Sequence, residues 1–93
     1  MKTAFVTGGS RGIGKAIAIE LGNNFHVVVG YSNSEDKAND VAKDIISSGG
    51  SASTVRVDIS NSESVDEAFT SIEKDYTSVD VLINNAGVTR DNL

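Results

Sequence analysis

The sequence contains no cysteine, no proline and no tryptophan, and only one of its 93 residues is histidine. Without cysteine the chain can form no disulfide, no thiolate nucleophile and no cysteine-based metal site. A single histidine also argues against a zinc centre, which needs several nitrogen or sulfur ligands. The absence of proline fits a chain built of compact units joined by short connections.

Positive charge is scarce as well. The chain has 8 basic and 13 acidic residues, a net charge of −5, and no cluster of lysine and arginine. This pattern argues against nucleic acid as a partner, because phosphate-binding surfaces concentrate basic side chains. No apolar stretch approaches the roughly 20 residues needed to span a bilayer, and the apolar run after Lys2 is too short for a signal peptide. We therefore expect a cytoplasmic protein with no membrane partner.

The composition and periodicity indicate one small α/β domain. Hydrophobic residues make up 39% and charged residues 23% of the chain, as in globular proteins. Short β-branched runs alternate with segments in which apolar residues recur every three or four positions. Strands are predicted at 4–6, 27–29, 53–57 and 79–83. The first helix is predicted at 12–21. The second helix begins after an N-cap at Ser34 and ends at Gly49, and the third begins after an N-cap at Asn61 or Ser62. The order βαβαβαβ predicts a doubly wound parallel sheet of the Rossmann type.

The strongest chemical signal is a glycine-rich turn between the first strand and the first helix. Glycines let the backbone turn tightly and let a pyrophosphate approach without a Cβ in the way, while the helix N-terminus faces the anion. A glycine-rich turn without a ligand is the alternative, but the surrounding strand and helix favour a dinucleotide site. The candidate residues are Gly8, Gly9, Ser10, Arg11, Gly12, Ile13 and Gly14.

The same turn also fits the start of a P-loop. Gly9 to Lys15 reads G-x-x-x-x-G-K, but the next residue is Ala16. A P-loop needs serine or threonine there to hold magnesium. A nucleoside triphosphatase is therefore the weaker of the two interpretations.

The end of the second strand favours NADP(H) over NAD(H). A carboxylate at this place would bind the ribose 2′-hydroxyl of NAD, and residues 29–32 contain none. Arg11 lies in the glycine-rich turn, where it can reach a 2′-phosphate, and Ser32 can donate a hydrogen bond from its hydroxyl to the same group. The alternative for Arg11 is a solvated loop charge, and the alternative for Ser32 is a turn residue without a ligand. On this hypothesis an aspartate introduced at Gly30 shifts the preference toward NADH.

Two further groups follow strands. Asp58 comes after the third strand, where it can accept a hydrogen bond from the adenine amino group or serve only as a turn carboxylate near a helix start. Asn84-Asn85-Ala86-Gly87 follows the fourth strand. Small residues there let a cofactor lie against the backbone, and asparagine side chains can tie neighbouring strand ends together.

Together these motifs resemble the short-chain dehydrogenase/reductase family. Its T-G-x-x-x-G-x-G motif matches residues 7–14, its adenine-site aspartate matches Asp58, and its N-N-A-G motif matches residues 84–87. The resemblance implies the strand order 3-2-1-4 and NADP(H) as cofactor. By resemblance, Gly8 to Gly14 bind the pyrophosphate and Arg11 and Ser32 bind the 2′-phosphate. Asp58 and Ile59 then frame the adenine, and Asn85, Ala86 and Gly87 line the inner ribose.

Within the family, residues 8–14 and 84–93 are most similar to those of bacterial 3-oxoacyl-[acyl-carrier-protein] reductases. This resemblance implies NADPH-dependent reduction of a 3-oxoacyl thioester carried by acyl carrier protein in fatty-acid biosynthesis, by a homotetramer. Acetoacetyl-CoA reductases and other short-chain ketone reductases are the alternative, because they share much of the 84–93 segment.

The family's catalytic asparagine, serine and Tyr-x-x-x-Lys match no residue of this sequence. We therefore expect residues 1–93 to be the N-terminal part of a single NADP-binding domain, with no catalytic residue of its own and no activity alone. We also expect poor stability of these residues alone, because the fourth strand, 79–83, would present an unpaired apolar edge. Two alternatives to an enzyme remain. One is a non-catalytic protein that only binds a dinucleotide, and the other is a truncated reading frame without function. Serine and Tyr-x-x-x-Lys further along the gene would identify an enzyme.

Overall fold

The computed structural model describes residues 1–10, 12–76 and 78–85 and shows three strand–helix units followed by a fourth strand. All four predicted strands and all three predicted helices are present. In chain order the elements are β1 (Thr3–Thr7), α1 (Gly12–Leu21), β2 (His26–Tyr31), α2 (Glu35–Ser47), β3 (Ser51–Arg56), α3 (Ser62–Asp75) and β4 (Val81–Asn84).

The four strands form one sheet in the order β3-β2-β1-β4, and every neighbouring pair is parallel. The α/β fold class and the predicted strand order are therefore confirmed. In register, Ala4 of β1 lies between Val27 of β2 and Val81 of β4. From β1 the chain adds β2 and then β3 on one side, and it then returns to add β4 on the other side of β1. The direction in which strands are added therefore reverses at β1, between β2 and β4.

The core consists of two apolar layers, one on each face of the sheet. On one face Val6, Val27 and Val29 pack against α1 and α2 through Ala18, Ala38, Val41 and Ile45. On the other face Phe5 and Val28 pack against α3 through Ala68 and Ile72. The rings of Phe5 and Phe69 meet edge to face with centroids 5.4 Å apart. The β-branched run of β2 is buried on both sides, as expected for an inner parallel strand.

The apolar residues that recur through α1 and predict the helix are Ile13, Ala16, Ile17 and Leu21; Leu21 packs partly buried against the core, but none of the four is fully buried. Gly14 and Ala18 are buried, whereas Ile13 is 73% exposed and Ala16 is exposed. The helix lies so close to β1 and β2 that only small side chains fit between them. In α2 the spacing of apolar residues predicts a buried stripe of Ala38, Val41, Ala42, Ile45 and Ile46; the first four are buried, whereas Ile46 is 53% exposed.

The two later helices begin differently. Asn61 caps α3, because its side-chain oxygen accepts from the backbone N–H of Glu63 at 2.9 Å and of Ser64 at 3.3 Å. Ser34 occupies the N-cap position of α2 as predicted, yet its hydroxyl makes no capping hydrogen bond. The predicted N-cap position of Ser34, with Glu35 and Asp36 in the first turn, is therefore confirmed, although no side-chain hydrogen bond accompanies it.

The described residues contain neither a membrane-spanning helix nor a metal-binding cluster. No helix in the part of the chain that the structure describes has the length and apolarity of a membrane span. The described residues also hold no group of three or more acidic or histidine side chains placed to bind a metal ion.

His26 begins β2, as predicted, and lies in a polar cluster at the amino end of the sheet. It is 7% exposed, and its ring nitrogens contact the hydroxyls of Ser51 at 2.5 Å and Ser53 at 3.0 Å. The ring of Tyr76 lies over it with centroids 4.1 Å apart. Burial lowers the pKa of His26 below its ordinary value of 6.5, so the fold favours the neutral ring.

This burial predicts a loss of stability in mild acid. Below the unfolded-state pKa of 6.5 the unfolded chain binds a proton at His26 more readily than the folded chain, so stability falls as the pH drops. We expect the Tm to fall more steeply between about pH 7 and pH 5 in the wild type than in His26→Gln, which cannot titrate. Equal slopes in thermal melts of the two proteins would show that His26 is not linked to folding.

Candidate dinucleotide-binding site

The turn between β1 and α1 depends on its glycines. Gly8 and Gly12 have φ angles of 65° and 62°, in the left-handed region that side chains with a Cβ avoid. The backbone N–H of Gly9 donates to the carbonyl of Gly30 at 3.2 Å, which ties the turn to the end of β2. The glycine turn therefore lies at the carboxyl end of the sheet, directly above its two central strands.

Gly14 brings the first turn of α1 onto the backbone of Gly8. A Cβ built at Gly14 would overlap the carbonyl oxygen of Gly8 and would lie 2.8 Å from the side-chain nitrogen of Asn85. That nitrogen donates to the same carbonyl oxygen at 3.3 Å. The helix N-terminus, the glycine turn and the residue after β4 thus meet at one point, which only a glycine at position 14 permits.

The ends of β1 and β4 are joined beside this turn. The Thr7 hydroxyl lies 3.3 Å from the carbonyl of Ile83 and 3.1 Å from the side-chain oxygen of Asn84, and it can donate to either. Thr7 also pairs with Asn84 in the strand register. This junction is the place where the strand order reverses, which is where open α/β sheets bind their ligands.

A cleft of about 210 Å³ opens next to the glycine turn, above the ends of β1, β2 and β3. Five of the residues predicted from the sequence line it together: Gly8, Ser10, Ser32, Asp58 and Ile59. Four others that the sequence did not single out for binding complete it: Tyr31, Asn33, Ser34 and Val57. The backbone N–H of Val57 donates to the carbonyl of Tyr31 at 2.7 Å, and this bond holds the two strand ends together.

Asp58 lies at the β3 side of the cleft, with its carboxylate held by one neighbour. Its Oδ1 accepts from the backbone N–H of Ser60 at 3.0 Å and from the Ser60 hydroxyl at 2.6 Å. These two hydrogen bonds are the main reason that the pKa of Asp58 lies below its ordinary value of 3.8, and the charge of Arg56 adds to the effect. Asp58 is therefore an ionised hydrogen-bond acceptor at neutral pH.

Tyr31, rather than Gly30, presents its side chain to the cleft at the end of β2. A Cβ at Gly30 would point into the core, 2.9 Å from the Phe5 ring and 3.2 Å from Val57. The hypothesis that an aspartate at Gly30 would reach the ribose is therefore wrong, because strand alternation turns that position inward. Desolvation, followed by the charge and hydrogen bond of Glu35, raises the pKa of Tyr31.

The remaining predicted residues are placed as follows. Gly9 lies behind the turn, against Val6 and Val29. The side chain of Ile13 is exposed and does not line the cleft. Arg11, Ala86 and Gly87 lie outside the described residues, and their predicted functions stay predictions. Arg56, which the sequence does not single out, pairs with Tyr31 in the strand register and helps to lower the pKa of Asp58, although its side chain does not line the cleft.

Comparison with known proteins agrees with this geometry. Residues 2–93 match the family model described as short chain dehydrogenase. Reductases of 3-oxoacyl-[acyl-carrier-protein] from Staphylococcus epidermidis and a Synechocystis species are 41% and 43% identical over 93 residues. In both cases the match covers 99% of this chain and 38% of the relative. The chain thus spans well under half the length of these curated relatives.

Solved structures give the same family. A dehydrogenase/reductase from Sinorhizobium meliloti superposes with a TM-score of 0.88 at 40% identity, covering 94% of this chain and 35% of that one. A metagenomic short-chain oxidoreductase in complex with NADP superposes with a TM-score of 0.87 at 39% identity, and the match covers 94% of this chain and 39% of that one. With the glycine turn, the strand order and these matches in agreement, this chain belongs to the short-chain dehydrogenase family.

Proposed function

We propose that this chain forms the cofactor-binding part of an NADPH-dependent reductase that acts on 3-oxoacyl thioesters of acyl carrier protein in fatty-acid biosynthesis. The observation that carries the proposal is the cleft beside the glycine turn, which contains five residues selected beforehand for dinucleotide chemistry. The similarity to 3-oxoacyl-[acyl-carrier-protein] reductases supports the substrate class. The homotetramer and the cytoplasmic location implied by the resemblance are part of the same proposal.

The bound NADPH would supply the hydride for reduction of the ketone. The chain's own residues bind and orient it. The backbone N–H groups at the start of α1 face the pyrophosphate, and Gly14 keeps that helix close to the sheet. Asp58 would accept a hydrogen bond from the adenine amino group, and Asn85 would help to hold the ribose nearer the nicotinamide. We propose that the groups that protonate the substrate come from the part of the enzyme outside these 93 residues.

Three observations support NADPH over NADH. No carboxylate follows directly on β2, and Ser32, Asn33 and Ser34 line the cleft with uncharged polar groups. The Ser34 hydroxyl, which makes no capping bond, is available to an oxygen-rich ligand. Arg56 at the end of β3 brings a positive charge near Asp58 and Tyr31, although its effect on Tyr31 is smaller than the opposite effect of Glu35.

The preference for NADPH can be tested at Arg11 in the complete enzyme. Arg11→Ala removes a cation that we expect beside the 2′-phosphate, so it should weaken the binding of NADPH much more than that of NADH. Loss of a charge-assisted hydrogen bond corresponds to about 10- to 150-fold in affinity. Dissociation constants from cofactor fluorescence measure this change, and equal losses for the two cofactors would exclude a discriminating function of Arg11.

The substrate class is tested by the loss of NADPH absorbance with purified complete protein. We expect faster oxidation of NADPH with acetoacetyl-acyl carrier protein than with acetoacetyl-CoA at equal concentration. The opposite order would favour a CoA-thioester reductase. Tight NADPH binding without turnover of any 3-oxoacyl substrate or other ketone would favour the non-catalytic binding module.

A further inference from the structure

The Asp58 carboxylate is fixed on one oxygen only. Both donors of Ser60, the backbone N–H and the hydroxyl, converge on Oδ1. Within residues 1–10, 12–76 and 78–85, no hydrogen bond reaches the other oxygen, Oδ2. The backbone at Asp58 is fixed as well, because its N–H donates to the hydroxyl of Ser64 in α3 at 2.8 Å. The carboxylate is therefore oriented, with one oxygen still free to accept.

We propose that Ser60 is a positioning residue for recognition of the adenine ring: it holds Oδ1 of Asp58 so that Oδ2 accepts the hydrogen bond from the adenine 6-amino group. This inference rests on the proposed function, because it requires that the cleft binds the adenosine end of NADPH. Ser60 does not itself line the cleft and acts through Asp58.

The side chain of Asp58 must lose rotational freedom when the cofactor binds. Asp58 is only half-buried, and without Ser60 its side chain can rotate toward water in several staggered conformations. Each conformation that points away from the cleft must be given up when the cofactor binds. The 2.6 Å bond from the Ser60 hydroxyl selects one conformation beforehand, and a charged acceptor makes this bond stronger than a neutral one.

The substitution Ser60→Ala removes the hydroxyl and leaves the backbone N–H donor in place. In the complete protein, the ratio of dissociation constants for deamino-NADPH and NADPH measures how strongly the amino group is recognised. Deamino-NADPH carries an oxygen acceptor where adenine has its amino donor. We expect wild-type protein to favour NADPH by about 10-fold or more, and Ser60→Ala to reduce that ratio about 3- to 10-fold.

Two further variants separate positioning from general damage. Ser60→Thr keeps the hydroxyl and should restore the wild-type ratio. Ser47→Ala removes another exposed serine hydroxyl, one that donates to the carbonyl of Asp44 at 3.1 Å away from the cleft, and should leave the ratio unchanged. A structural defect in the Ser60→Ala protein would instead weaken the binding of both cofactors equally and would leave the ratio of their dissociation constants as in the wild type.

The outcomes distinguish this inference from the proposed function. If wild-type protein discriminates between the cofactors and Ser60→Ala discriminates equally well, the positioning function of Ser60 is wrong while the proposed function stands. If wild-type protein binds NADPH without discrimination, the contact between Asp58 and adenine is wrong, and this inference falls with it. Failure of the wild type to bind either cofactor overturns the proposed function itself.

Discussion

Replacing Gly14 by alanine is expected to abolish NADPH binding and to lower the free energy of unfolding by about 3 kcal/mol. The new methyl group would overlap the carbonyl oxygen of Gly8, and backbone cannot move aside as a flexible side chain can. The first turn of α1 must then shift away from the glycine turn. That shift also breaks the bond from Asn85 to Gly8 and misplaces the N–H groups that face the pyrophosphate.

The matched control for Gly14→Ala is Gly49→Asn. Gly49 has a φ of 94° in the connection between α2 and β3, and a Cβ there meets nothing within 4 Å. Asparagine is among the residues that accept positive φ most readily, so this variant should lose little stability and should bind NADPH normally. Chemical denaturation and cofactor titration measure both properties. Normal NADPH binding by Gly14→Ala would mean that the close contact between α1 and the glycine turn is unnecessary.

The second large effect is expected for Gly30→Asp, which should prevent stable folding instead of changing the cofactor preference. The carboxylate would be directed at Phe5 and Val57, where no described group can pair with it. Burial of an unpaired charge costs several kcal/mol, a large part of the roughly 5–15 kcal/mol that stabilises a domain. Circular dichroism and soluble yield should both show the loss of structure.

The control for this substitution is Ser32→Asp, which places a carboxylate two residues later at an exposed position in the cleft. This variant should fold normally. Its carboxylate should repel the 2′-phosphate, which weakens the binding of NADPH and shifts the cofactor preference toward NADH. A folded Gly30→Asp protein that prefers NADH would contradict the orientation of β2 described above.

Much of the fold was predictable because it depends on patterns that a sequence shows directly. Alternation of β-branched runs with helical periodicity predicts a parallel sheet, and the ends of its strands converge on one edge. The positions of Ser32 and Asp58 in one cleft follow from that rule. The glycine turn was predictable for the same reason, because it lies between a strand and a helix.

The errors have a common cause, which is that contacts between elements are not visible in local patterns. Periodicity predicted α1 but not that Gly14 and Ala18 form its contact with the sheet, because that depends on how close the helix lies. The sequence correctly predicts Ser34 as the N-cap residue of α2, but it does not show that the Ser34 hydroxyl makes no capping hydrogen bond. The sequence does not show which residues of β2 point toward the core and which point toward the cleft. In the structure position 30 points toward the core and Tyr31 points toward the cleft.

Hydrogen–deuterium exchange of the complete protein with and without saturating NADPH tests the central claim most directly. If the cleft binds the adenosine end of the cofactor, peptides covering residues 7–14 and 57–60 should exchange more slowly when NADPH is present. Peptides from the amino end of the sheet, around His26 and Ser51, should exchange at the same rate in both states. Unchanged exchange in residues 7–14 and 57–60 at saturating NADPH would contradict the assignment of this cleft as the cofactor site.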